Sequence, residues 1–398
     1  MTHAETPPTG SPRPQRLWSL WVLFFFQFAA IGVFFTYLNV YFRQAGLSGT
    51  EIGVLNMAAS IMGVLGGVIW GYLSDRTGKP RIWIALGALG ALLVNQFIPY
   101  VNGFWAFLVI SCLGSLLGSA PNTLIDSTTL VLLGTRREDY GKYRLGGSVG
   151  YIIATFISAF LFQQTGLRMI FPAYGLAMAC FSITALLLPN VPVRLHSGGS
   201  REMGTMIRQR TWLLFILCIF LCWIAVNASI MFLSVTLSAM GADQTLIGLS
   251  ATIPGIVEIP FMLFSGFFLR RFGPEKLLFA AMIIMVVRYF LLGIMPSPGW
   301  AIFINMLNGP AFVFYWNSAI NYANKMAPPG LAATAQGLLS STVSLASVVS
   351  SLLSGWLFDH VGPNGIFLVM SSLCLVALLL YTTGIMLRKP AQAVRQSP

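Results

Sequence analysis

The chain has 398 residues, of which 56% are hydrophobic and only 9% charged, with a mean hydropathy of +0.78. Water-soluble domains of this length carry far more charge, so the composition excludes an ordinary soluble enzyme and points to a chain that crosses a membrane many times. The net charge of +12 would suggest nucleic acid as the partner of a soluble protein; here the placement of the bases matters more, and no nucleic-acid partner is expected.

Residues 1–16 are polar and Pro-rich and read as a disordered cytoplasmic tail. The apolar run behind them is too long for the core of a cleaved signal peptide and reads as a first span. A span needs about 20 apolar residues. Twelve are expected, at 17–43, 50–74, 82–101, 104–133, 140–164, 168–189, 212–239, 244–269, 277–296, 299–324, 334–358 and 365–387. The longest polar break, 190–211, divides an N-terminal bundle (17–189) from a C-terminal one (212–387), and 388–398 form a second tail. With both termini cytoplasmic, all of the 23 lysines and arginines except Arg43, Arg168 and Arg288 fall on the cytoplasmic side, as the positive-inside bias requires.

Between the second and third spans lies Gly71-Tyr-Leu-Ser-Asp75-Arg76-Thr-Gly78-Lys79-Pro80-Arg81. Glycines let the chain reverse tightly, and Asp75 is free to accept bonds from arginines or helix N-termini. The pattern resembles the loop between helices two and three of the major facilitator superfamily of transporters. That resemblance implies an all-α membrane protein of twelve helices in two pseudo-symmetric six-helix bundles, with Gly71, Asp75, Arg76, Gly78 and Arg271 forming a cytoplasmic gate.

The halves repeat. Gly46, Thr50, Ile52 and Gly53 return as Gly241, Thr245, Ile247 and Gly248 at an offset of 195, which also places Gly71, Arg76 and Gly78 on Gly266, Arg271 and Gly273. Gly166 meets Gly362 one residue further on. A register held this long argues for duplication. Gly63, Gly67 and Gly71 share one face of the second span, and Gly146 and Gly150 one face of the fifth, as close helix approach in lipid requires.

All five cysteines lie within apolar runs, so neither disulfides nor a metal site is expected, and no cofactor. Among the eleven acids, only Asp126 and Glu258 fall well inside spans. A charge at mid-membrane costs about 2.5–3.5 kcal/mol on insertion scales, so each needs a partner or a water-filled cavity. Arg288, in the ninth span, sits at a depth similar to Glu258. Two readings stay open for them: a fixed ion pair, or a proton site at Glu258 tuned by Arg288. Arg144, Ser148 and Tyr151 line one face of the fifth span and suit a polar ligand with a flat part. The competing reading is an arginine that snorkels to the cytoplasm.

Asp126 and the run Arg144-Leu-Gly-Gly-Ser148-Val-Gly-Tyr151 resemble the substrate site of the lactose permease-like oligosaccharide/proton symporters. Glu258 and Val286-Val287-Arg288 resemble that group's proton-coupling charges. Pro328-Pro329-Gly-Leu-Ala-Ala-Thr334-Ala-Gln336-Gly337 looks more like the phenylpropionate and nucleoside permeases. The seventh span departs from the lactose pattern, offering Asn227 in place of acids. The tenth offers Asn305, Asn308, Asn317 and Asn321 with Tyr315 and Trp316, and these amides suit either ligand binding or helix packing.

The resemblance implies a monomeric carrier of the bacterial inner (plasma) membrane that works by alternating access and carries a small polar solute, such as a sugar, nucleoside or aromatic acid, together with protons. The expected substrate residues are Asp126, Arg144, Ser148 and Tyr151, to which the departing seventh and tenth spans add Asn227, Asn308, Tyr315 and Trp316; Glu258, Arg288 and Asp126 are expected to couple the proton. The absence of the Gly-Pro pair of drug/proton antiporters from the fifth span favours uptake over efflux. A sensor on a transporter scaffold is the alternative of another class.

Overall fold

A computed structural model of the protein describes residues 18–189, 209–327 and 331–386. Both tails, most of the 190–211 loop, and Pro328 and Pro329 lie outside the described residues. Among the described residues there is no β-strand. The first half runs α1 (Trp18–Gln44), α2 (Gly49–Thr77), α3 (Pro80–Asn95), α4 (Phe104–Leu133), α5 (Tyr140–Thr165) and α6 (Ile170–Leu186). The second runs α7 (Arg210–Ala239), α8 (Gln244–Leu263), α9 (Ser265–Ile294), α10 (Trp300–Asn305), α11 (Asn308–Met326), α12 (Ala332–His360) and α13 (Gly365–Tyr381).

Among the described residues, eleven segments are long and apolar enough to cross a bilayer. The expected span 299–324 is divided between α10 and α11, and its asparagines lower its hydropathy. The expected boundary after 269 falls at Gly273, whose φ of 75° breaks α9 beside Pro274. Ser265–Phe272 thus continues the line of α8, and the rest of α9 is the ninth span.

The repeat has a backbone cause. Gly46 and Gly241, Gly78 and Gly273, and Gly166 and Gly362 all have positive φ, a conformation that only glycine adopts without strain. The caps repeat too: Ser48 accepts from the Glu51 amide ahead of α2, and Asp243 accepts from the Leu246 amide ahead of α8.

Within the first half α1 packs on α5 and α6, and α4 on α2 and α3; within the second, α7 packs on α12 and α13, and α9 on α11 and α13. The halves meet along α2–α12, α5–α8 and α1–α7. We call the end that carries Arg76, Arg81, Arg270 and Arg271 the basic end, and the opposite one the far end.

At the far end the seams are tight. A Cβ on Gly355 of α12 would lie 2.8 Å from the Gly53 Cα of α2, and one on Gly248 of α8 would lie 3.0 Å from the Ala159 Cα of α5. Each seam also carries a cap supplied across it. Asp359 accepts from the Gly49 amide (2.8 Å), the Thr50 amide (2.7 Å) and the Thr50 hydroxyl (2.6 Å). Gln163 accepts from the Gln244 amide (2.9 Å). Gly49 and Gln244 correspond at offset 195, and Gln163 and Asp359 at offset 196, so the two caps are one device used twice.

At the basic end the same seams part. A Cβ on Gly71 of α2, Gly337 of α12 or Gly141 of α5 would meet nothing within 4 Å. Ahead of α5, Asp139 binds Lys142 (2.6 Å) and Arg136 (3.0 Å). These two cations hold its carboxyl below the usual carboxylate range.

Asp359→Ala removes three bonds to the start of α2 and should weaken far-end closure by about 1–3 kcal/mol. The measurement is maleimide labelling of a cysteine placed at Ser351, buried under this seam, in a background without reactive native thiols. Labelling should speed up at least about fivefold; an unchanged rate would show that Asp359 does not hold the seam.

Candidate functional site

A cavity of about 350 Å³ lies where the halves meet, walled by α1, α5, α7, α8 and the α9–α11 segment. Its size falls in the usual range for small-molecule sites.

The α5 wall follows from its sequence. Arg144, Ser148 and Tyr151 face the cavity, while Gly146 and Gly150 face α1. A Cβ on Gly146 would meet the Trp21 carbonyl at 2.5 Å, and one on Gly150 would overlap the Phe25 carbonyl. The glycines therefore let α1 lie directly on α5, which brings Phe28 beneath Arg144. The guanidinium carbon sits 3.8 Å from the Phe28 ring centroid and 5.8 Å from that of Phe24. Such stacking is worth about 0.5–2 kcal/mol, more as water is excluded. Arg144 is thus held by rings rather than by a carboxylate.

The second half supplies Glu258 and Arg288. Pro254, one turn before Glu258 in α8, has no amide hydrogen to donate to the Ser250 carbonyl. The Asn305 amide fills that gap, donating to the Ser250 carbonyl (3.0 Å) and hydroxyl (2.8 Å). Its oxygen then accepts from Arg288 Nη2 (2.9 Å), which also donates to the Ser229 hydroxyl (3.1 Å). The orientation of a buried arginine therefore traces back to a proline on another helix.

The fixed ion pair between Glu258 and Arg288 does not form: among the described residues neither belongs to a salt bridge. The reason is the packing, since α9 rests mainly on α11 and α13 rather than on α8. The Glu258 side chain makes no hydrogen bond among the described residues. It faces the cavity, where the charge of Arg144 acts on it. Two opposite charges thus share one chamber without being locked together.

Other expected residues are placed as follows. Asn308 lines the cavity. Asn227 donates to the Ser347 carbonyl and ties α7 to α12, and Tyr315 is fully buried, donating to the Ile219 carbonyl. Trp316 stands behind the wall, parallel to Phe312 at 6.4 Å; Phe312 itself faces the cavity. Asp126 is exposed and accepts from the Tyr140 hydroxyl (2.8 Å) towards the basic end, away from the cavity. At the basic end, Gly78 closes α2 in the left-handed conformation, Arg76 approaches only the Tyr72 hydroxyl (3.5 Å), and Asp75 and Arg271 are exposed. Phe28, Phe312, Ser229, Ser250 and Pro254 were not singled out from the sequence; only the proline carried a signal, as a donor missing from mid-helix.

The model of the MFS_1 like family matches residues 17–369. The chain belongs to this family. It is 27% identical over 362 residues to the maltose permease of Geobacillus stearothermophilus, covering 90% of this chain and 92% of that one. It is 24% identical over 372 residues to a probable 3-phenylpropionic acid transporter of Escherichia coli (strain K12), covering 90% and 95%. Among solved structures it resembles the nucleoside transporter NupG, with a TM-score of 0.80 at 18% identity, over 92% of this chain and 98% of that one. This MFS_1 like protein is accordingly a multi-pass membrane transporter of major facilitator fold, and not an enzyme.

Asn305→Ala should leave Arg288 short of an acceptor and Ser250 short of a donor, at a cost of about 1–3 kcal/mol. Scanning fluorimetry in detergent should show a clear fall in melting temperature, larger than for Asn308→Ala, whose side chain has no hydrogen bond among the described residues. Equal falls would mean that the Arg288 network does not stabilise the second half.

Proposed function

We propose that the protein takes up a small polar organic solute together with a proton, as a monomer in the bacterial inner membrane with its basic end towards the cytoplasm. One observation carries this reading: Glu258 and Arg144 face a common cavity without a mutual bond. The relatives named for maltose and 3-phenylpropionic acid support sugars and aromatic acids within the substrate range.

The chemistry follows from the two charges. While Glu258 is ionised, its field engages Arg144 across the cavity. A proton on Glu258 ends that attraction and leaves Arg144 to a polar or anionic group of the solute. Ser148 and Asn308 offer hydrogen bonds beside it, and Tyr151 and Phe312 offer faces for a ring. Loading of solute and proton is then linked, since each stabilises the state that receives the other. Arg288, held by Ser229 and Asn305, keeps the chamber positive throughout.

Asp126 lies outside this chamber and has no part in the scheme, and Asn227 and Tyr315 hold helices together. The gate residues Gly71, Asp75, Arg76, Gly78 and Arg271 act at the basic end: parted as here they leave it open, and their engagement closes it when the far end opens.

In proteoliposomes, Glu258→Gln should abolish accumulation driven by a pH gradient and keep counterflow of labelled solute within about threefold of wild type. Sugars, nucleosides and aromatic acids form the panel from which the solute is chosen. Gradient-driven accumulation that survives the substitution would remove Glu258 from coupling.

A further inference from the structure

A second cavity, of about 390 Å³, lies mainly within the first half, walled by α1, α2, α3, α4 and α6 and completed by α12 of the second half. It is the charged cavity's counterpart under the repeat. On α8, Ala251, Gly255 and Glu258 face the charged cavity; 195 residues earlier, Asn56, Ser60 and Gly63 of α2 face this one. On α7 the facing residues include Val226 and Leu237, and on α1 their equivalents Ile31 and Phe42. On α5 they are Ser148 and Tyr151; 196 residues later, Ser344 and Ser347 of α12 take their places. Duplication has produced two chambers, separated by Ile31 and Phe35, which line both.

Their chemistry has diverged. Among the described residues that line the second chamber there is no Asp, Glu, Lys, Arg or His, and Gly63 stands where the other has Glu258. In their place are amides and hydroxyls with valences left open. The Gln27 amide donates to the Asn122 oxygen (2.7 Å), which leaves the Asn122 NH2 as a free donor. The Asn56 NH2 donates to the Asn39 oxygen (3.2 Å), which leaves the Asn56 oxygen as a free acceptor. Gln27 is only 4% exposed, and its own oxygen has no partner.

We infer that this chamber is a second binding site, and that it takes an uncharged, hydroxyl-rich ligand or ligand group. A hydroxyl both donates and accepts, so it satisfies a free amide donor and a free amide oxygen together. A charged group would be left without a counter-charge there. Phe34 and Phe35 supply apolar walls against the C–H faces of such a molecule. The volume is that of a site for a small molecule rather than for one or two waters. The site stands whether or not Glu258 couples a proton.

The test is calorimetric titration of the purified full-length protein with glycerol, xylitol, glucose and maltose, at a pH where none is charged. At least one should bind with a stoichiometry of one. Asn122→Ala should weaken that binding about five- to tenfold, with some fall in melting temperature because buried Gln27 loses its acceptor. Ser60→Phe should fill the chamber and abolish binding, and Ser60→Thr should retain it. The inference is overturned if none of the four polyols binds. It is also overturned if Asn122→Ala and Ser60→Phe bind as wild type does, or if binding is lost in Arg144→Gln while Asn122→Ala has no effect, which would place the polyol in the charged cavity.

Discussion

The first amides of α2 have no acceptor within their own helix, and the residue that supplies one, Asp359, belongs to the other half. The first amide of α8 is in the same position and is served by Gln163. Unsatisfied backbone donors are costly wherever water is scarce. These caps therefore do more than finish two helices: they hold the far ends of the bundles together. With Gly53 against Gly355 and Gly248 against Ala159, they bring the seams to near backbone contact. The parted basic end, and the chambers between the halves, follow from that one-sided closure.

Each charge that faces the cavity is kept in a different way. Arg288 is fixed by hydrogen bonds that begin at a carbonyl left free by Pro254. Arg144 rests on aromatic faces. Glu258 has only the cavity and the field of Arg144. A side chain fixed by short bonds or by ring stacking is part of the scaffold, whereas one without such contacts stays open to the cavity. This difference sets Glu258 apart from the two arginines.

Much of the architecture was legible in the sequence, for physical reasons. Apolar runs mark helices because lipid leaves backbone groups no other partner, and the repeat stood out because its glycines occupy turns that need positive φ. The 299–324 span was harder to bound, because its amides lower its hydropathy and it breaks before Asn308. The α5 face of the site was legible too, since residues four and three apart must share a side of a helix. Depth along a span can be counted, and that made Glu258 and Arg288 look like partners. Azimuth cannot: which way each helix turns depends on what it packs against, and α9 turns Arg288 towards Asn305. For the same reason Asn227 and Tyr315, polar and mid-span, proved to tie helices together rather than to face the cavity.

The two cross-half caps are not equal. Asp359 is a carboxylate taking three hydrogen bonds, whereas Gln163 is a neutral amide taking one, helped only by long contacts from Tyr37 to the Gln244 carbonyl (3.3 Å) and from Thr245 to the Ala159 carbonyl (3.5 Å). Charge-assisted bonds are about twice as strong as neutral ones. Separation should thus begin at α5 and α8, with α2 and α12 as the pivot. The charged chamber lies behind the weaker lip and would meet the opposite compartment first, so the order of events is written into the mismatch between a carboxylate and an amide.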